Sequence, residues 1–192
     1  LLLILDGWGL SPSWGGNAIS LNNPIHINNL WRSYPHKILR AYDRSMSKTG
    51  YIGNSEIGHS AISAGKFITP NLDYINAKIA DGSINDNMVL KSAVENCHKH
   101  NSALHLVGMI SDAGIHSHID HLYALLEFAK KEGLGKVYIH AITDGRDTGS
   151  TDGILYMGQL TNKLKEIGIG EIATVSGRYY AMDKGNHYDR VN

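Results

Sequence analysis

Four short apolar runs, Leu1–Leu5, Ala103–Met109, Lys136–Ile142 and Glu171–Val175, each give way to a polar cluster, and that recurrence limits the architectures open to the chain. Runs this short, rich in Leu, Ile or Val and flanked by turn residues, suit strands buried on both faces of a parallel sheet. The segments between the later runs have helical spacing. In Ile119–Lys131, residues Leu122, Leu125, Leu126 and Ala129 recur at i, i+3, i+4 and i+7, which makes one apolar helix face. Asn87–His100 and Ser150–Ile167 read as helices too, the former with Met88, Leu90, Ala93 and Val94 as its apolar positions. Strands alternating with helices predict an α/β fold with right-handed crossovers. Ser11–Pro70 breaks the pattern, being rich in Asn, Ser and Gly and punctuated by prolines, so loops are expected there and a boundary near Thr69-Pro70.

The balance of 18 basic against 18 acidic residues leaves no net charge, hence no electrostatic attraction toward nucleic acid or an anionic membrane surface. No apolar run approaches the roughly 20 residues that span a bilayer. The opening leucines lack a basic region before them and run straight into Asp6-Gly7, so they read as a buried strand rather than a signal-peptide core. Cys97 is the single cysteine and has no partner for an internal disulfide, which fits a reducing, cytoplasmic setting. Its neighbour His98 does not make it a nucleophile, since adjacent residues on a helix do not face each other.

Functional groups in open α/β sheets gather just beyond the carboxyl ends of the strands. Here those positions hold Asp6-Gly7-Trp8-Gly9, then Ser111 to His118, then Thr143-Asp144-Gly145-Arg146-Asp147, then Ser176-Gly177-Arg178-Tyr179-Tyr180. One shared site is the natural reading. Asp6 suits a hard-oxygen ligand for a metal, or equally an Asp that caps its own turn. In Gly53-Asn54-Ser55-Glu56-Ile57-Gly58-His59, flexible glycines flank a serine at an expected helix start. Such a serine can meet a phosphate and act as a nucleophile once activated, or serve as an ordinary N-cap. His116, His118 and His121 leave three readings open: a zinc site, an imidazole phosphate contact, or a polar helix start. Arg146 and Arg178 have the fork geometry for phosphate and carboxylate oxygens, and Asp147 beside them can accept a hydroxyl proton.

The strings LILDGWG, GNSEIGH, SDAGIHSHIDH, DGRDT and GRYYAMD occur here in that order. In this the chain resembles the cofactor-independent phosphoglycerate mutases, over almost its whole length and specifically their amino-terminal portion. The resemblance implies an alkaline-phosphatase-like domain interrupted by an inserted α/β phosphotransferase domain. Residues 1–69 would be the first segment of the former, and residues 70–192 part of the latter. It also implies interconversion of 3-phosphoglycerate and 2-phosphoglycerate in glycolysis and gluconeogenesis through a phosphoserine, an isomerase reaction that needs no 2,3-bisphosphoglycerate. Ser55 would be the serine that carries the phosphoryl group. Asp6 and Ser55 would coordinate one of two divalent ions, commonly Mn2+, with Mg2+ or others as alternatives. His116, Arg146, Asp147 and Arg178 would hold the substrate, and Asp147 would also handle protons as glycerate re-orients. A cytoplasmic monomer is the expected form.

The sequence departs from the family pattern in places. Lys184 stands where a second substrate arginine is usual, His187-Tyr188 replaces a basic–Trp pair, and Met46–Ile52 lacks a Gly-Leu-Pro element. The chain opens on Leu1 rather than Met, and the family's remaining metal ligands and later substrate-binding arginines and lysine would lie beyond Asn192. The 192 residues alone are therefore expected to have little mutase activity. Two rival readings are another phosphatase or phosphomutase of the alkaline-phosphatase superfamily and a non-catalytic phosphometabolite-binding protein.

Overall fold

The structure is a computed structural model that describes residues 1–12, 15–39, 55–66 and 68–191. Met46–Ile52 and the first two residues of the GNSEIGH string lie outside the described residues. Internal contacts divide the chain into two units, Leu1–Pro70 and Asn71–Asn192.

In the first unit, α1 (Ala18–Asn22) starts where the Asn17 side chain accepts a hydrogen bond from the Ser20 amide, and it ends on a left-handed Asn23. Helix α2 (Ile25–Ser33) follows directly, and α3 (Ser55–Ala64) begins at Ser55 itself. These helices occupy a stretch expected to be mostly loop. They are short, at five, nine and ten residues, which leaves few repeats of a helical period to read. The expected strand Leu1–Leu5 is not one: these residues have no regular structure, and all five side chains are exposed. The run has strand composition, but a strand satisfies its amides only by pairing, and the described part of this unit contains no other strand. Burial is slight throughout, Ile57 being the sole buried apolar side chain among the described residues of this unit.

The second unit meets the α/β expectation. Helix α4 (Asn71–Ala80), which the sequence did not announce, leads through a 3-10 turn at Ser83–Asp86 into α5 (Met88–His100), capped by Asn87. Then β1 (Leu104–Met109), α6 (Ile119–Lys131), β2 (Val137–Thr143), α7 (Gly153–Ile167) and β3 (Glu171–Gly177) alternate, and two single-turn helices, α8 (Arg178–Ala181) and α9 (Tyr188–Val191), close the described chain. The helix read from Ser150 starts three residues later because the Gly149 amide is held by the Asp152 carboxylate in a turn. Strands β2 and β3 run on to Thr143 and Gly177, slightly past their apolar stretches.

The sheet is parallel, in the order β1-β2-β3. Met109 pairs with Ile142, and Thr143 with Gly177, so all three strands finish along one edge. Alternate residues of β2, Val137, Ile139 and Ala141, enter a core shared with Leu126 and Ala129 of α6 and Tyr156 and Leu160 of α7. On the opposite face His105, His140 and Thr174 form a hydrogen-bonded row, with contacts of 2.9 Å at both steps. Cys97 is buried in the core, while His98 turns away to the Glu132 carbonyl at 2.9 Å. Leu126 is completely buried, so Leu126→Ala should leave a cavity and cost about 2–5 kcal/mol. Urea unfolding would read this as a lower midpoint with an unchanged slope. Among the described residues no helix is long and apolar enough to cross a membrane.

Candidate functional site

The shared strand edge decides where the polar clusters of the second unit emerge. Beyond it lies a cleft of about 710 Å³ whose lining includes His116, Arg146, Asp147, Arg178 and Lys184. Five side chains singled out from sequence thus face one space. Asp6 and Ser55 belong to the first unit, where they meet each other.

Arg178 opens α8 immediately after β3, which aims its guanidinium at the loop following β2. Its NH1 donates to Asp144 Oδ1 at 2.8 Å and to Asp147 Oδ2 at 2.5 Å, while NH2 lies 3.1 Å from His116 Nε2. His116 Nε2 is also 3.8 Å from the Asp147 carboxylate. One guanidinium therefore ties together the loops that follow all three strands. Burial works against the charge on Arg178, but its bonds to Asp147 and Asp144 outweigh that and raise its pKa.

Asp144 is the buried member of the group, with its side chain only 1% exposed. Oδ1 accepts from the amides of Arg146 at 3.1 Å and Asp147 at 3.0 Å as well as from Arg178, and Oδ2 accepts from the Ser111 hydroxyl at 3.0 Å. Burial pushes the carboxyl up from its usual 3.8. The Asp147 amide, the Arg178 guanidinium, the Arg146 amide and Ser111 together more than reverse this and hold it below that value. A carboxyl with a depressed folded pKa binds protons less readily in the folded than in the unfolded state. Its stabilisation is present above the ordinary 3.8 and is lost as pH falls through the lower folded value. Thermal unfolding followed from pH 7 to pH 3 should show the midpoint falling below about pH 4, and Asp144→Asn should make that fall shallower.

The loop after β1 is anchored separately. Tyr156 of α7 donates to Asp112 Oδ1 at 2.5 Å, and the bond to this carboxylate is the main reason the phenol is pushed up to about 12. The histidine trio splits: His118 caps α6 through the Asp120 amide and stays beside His121, with ring centres 5.9 Å apart, His121 meets Asn76 at 2.8 Å, and His116 alone of the three lines the cleft. Burial lowers the pKa of His121, with the neighbouring His118 adding to the effect.

Arg190 also lines the cleft, and sequence reading passed over it. Its guanidinium lies 4.2 Å from the centre of the Tyr179 ring and donates to Asp183 Oδ1 at 3.3 Å. The Asp183 carboxyl is held below its usual value chiefly by the His187 amide. The available signal was a second arginine, after Arg178, within the segment that follows the last strand.

In the first unit, Ser55 Oγ donates to Asp6 Oδ2 at 2.9 Å and lies 2.8 Å from His59 Nδ1. A hydroxyl has one proton. When that proton points to Asp6 Oδ2, the short contact to His59 takes Nδ1–H as its donor. His59 was not singled out from sequence, although its i, i+4 spacing from Ser55 on α3 places both on one helix face. Asp6 and Ser55 offer two converging oxygens, a donor set suited to a hard divalent cation.

A family profile described as BPG-independent PGAM N-terminus matches residues 75–192. Over all 192 residues the chain is 47% identical to the 2,3-bisphosphoglycerate-independent phosphoglycerate mutases of Acetivibrio thermocellus and of Clostridium perfringens. It spans 38% of the length of each of these curated relatives. Among solved structures, that of Leishmania mexicana phosphoglycerate mutase at low cobalt concentration is similar with a TM-score of 0.74 and 27% identity. That match covers 86% of this chain and 32% of the other.

Proposed function

The chain belongs to the BPG-independent PGAM N-terminus family, and from that premise we propose that the protein carrying it interconverts 3-phosphoglycerate and 2-phosphoglycerate without 2,3-bisphosphoglycerate. The observation that carries the reading is the cleft at the strand ends, where Arg146, Arg178, Lys184, His116 and Asp147 converge. Three cations and an imidazole suit a small ligand with both phosphate and carboxylate groups. Residues 1–69 act as the first segment of an alkaline-phosphatase-like domain, and residues 70–192 as part of an inserted phosphotransferase domain.

Ser55 Oγ attacks the phosphorus of 3-phosphoglycerate, the bond to the C3 oxygen breaks, and a phosphoserine and glycerate result. Glycerate re-orients between the arginines, and its C2 hydroxyl then attacks the phosphoserine, freeing Ser55. Asp147 supplies a proton to the departing C3 oxygen and regains one from the C2 hydroxyl, while the Ser55 proton passes to its acceptor Asp6 on attack and returns when the serine is freed, so protons balance over the cycle. The Asp6 carboxylate orients the Ser55 hydroxyl in the resting arrangement. Asp6 and Ser55 would hold one of two divalent ions, with Mn2+ expected, and such an ion would lower the serine pKa and offset phosphoryl charge. The role is glycolytic and gluconeogenic, the setting cytoplasmic and the protein a monomer.

The test is a coupled assay on the full-length protein with 3-phosphoglycerate as sole substrate, after chelation and again after Mn2+ is restored. Formation of 2-phosphoglycerate that needs the metal and no added bisphosphoglycerate is the expected result. Release of inorganic phosphate would identify a phosphatase instead. Binding of 3-phosphoglycerate without turnover would identify a non-catalytic binding protein.

A further inference from the structure

An anion-binding cleft with a buried carboxylate in its wall needs an explanation, because that charge opposes the ligand. We propose that Asp144 is a positioning residue that sets the substrate-binding groups of this cleft in place without touching the substrate. This rests on the phosphoglycerate mutase reading above.

The Asp144 side chain is 1% exposed, and hydrogen bonds already occupy both of its oxygens. It has nothing to offer a ligand directly. Its Oδ1 instead gathers three donors that belong to three different cleft residues: the Arg146 amide, the Asp147 amide and Arg178 NH1. The two amide contacts fold the loop back over Asp144 as an Asx turn, with Gly145 at φ 79, a conformation few other residues adopt. Oδ2 is fixed from the other side by Ser111, which is itself wholly buried after β1.

The arrangement separates two kinds of contact to Arg178. Asp147 and His116 line the cleft, so their contacts to Arg178 lie where a ligand could compete for them. The contact to Asp144 is buried and survives when they do. One carboxylate therefore keeps the Arg178 guanidinium and the backbone that carries Arg146 and Asp147 in a fixed mutual geometry, at the cost of one negative charge that Arg178 offsets.

Asp144→Ala and Asp144→Asn in the full-length protein test this. Asparagine keeps an Oδ1 acceptor for the three donors, and its amide can donate to Ser111; alanine keeps neither. Alanine should raise KM for 3-phosphoglycerate roughly 10- to 100-fold, the range for losing hydrogen bonds to a charged group, with a smaller effect on kcat. Asparagine should restore most of that loss. Hydrogen exchange of the peptide covering residues 143–149 should quicken about tenfold in the alanine variant while the strands stay protected.

A KM within about twofold of wild type, or exchange that quickens equally across the whole sheet, would overturn the proposal and leave Asp144 as support for the fold only. Should the wild-type protein fail to convert 3-phosphoglycerate, the functional reading falls first. The exchange arm still decides: faster exchange confined to 143–149 upholds the anchoring, and unchanged exchange there rejects it.

Discussion

Alanine at Ser55 is expected to leave the full-length protein folded and to remove mutase turnover, by on the order of 10⁴-fold or more. The size follows from the proposed route, in which Ser55 Oγ is the atom that takes and returns the phosphoryl group. His59 Nδ1 lies 2.8 Å from Ser55 Oγ, but the proposed route gives the phosphoryl group to the serine oxygen alone. The folding cost should be small because Ser55 is exposed at the first position of α3, and its two hydrogen bonds are solvent-accessible. Coupled-assay turnover and circular dichroism, measured on one preparation, separate the two effects. Wild-type protein quenched during turnover should carry a phosphoryl group on the peptide containing Ser55, and the variant should carry none. Turnover within tenfold of wild type would remove Ser55 from the chemistry.

The second unit was legible because its signals are strong and local. The runs that announce β1, β2 and β3 are short and rich in Leu, Ile and Val, although the sheet is buried on one face only: β2 buries alternate residues and β3 stays largely exposed. The stripe Leu122, Leu125, Leu126 and Ala129 gave α6 to its observed bounds. The first unit was not legible in the same way. Leu1–Leu5 has the composition of a strand, but composition does not supply a pairing partner, and α1, α2 and α3, at five to ten residues, give few repeats of a helical period. Within the cleft, residues with exposed functional groups stood out of their motifs, whereas Asp144 did not. Its role depends on Ser111 and Arg178, which are 33 and 34 residues away in sequence, and only the fold brings those together. Arg190 was hidden for a related reason, since its value comes from its place over Tyr179 on the cleft wall.

Arg178→Lys tests the cleft from the opposite direction to Asp144. Lysine keeps the charge but replaces a planar fork with a single ammonium, which cannot meet Asp144, Asp147 and His116 in their present positions at once. The kcat/KM for 3-phosphoglycerate should fall about 100-fold, mostly through KM. Arg178→Ala goes further, because it leaves the buried Asp144 charge without its counter-charge. Stranding a buried ion in this way costs about 3–5 kcal/mol, so the alanine variant should also lose stability. Adding Asp144→Asn to Arg178→Ala removes the stranded charge and should recover a good part of that stability while activity stays low. Recovery of one without the other would mean that Arg178 serves the fold through Asp144 and the ligand through the rest of its fork. If the double variant is as unstable as Arg178→Ala alone, the two charges are not coupled, and the network that joins the three strand ends does not hold the cleft together.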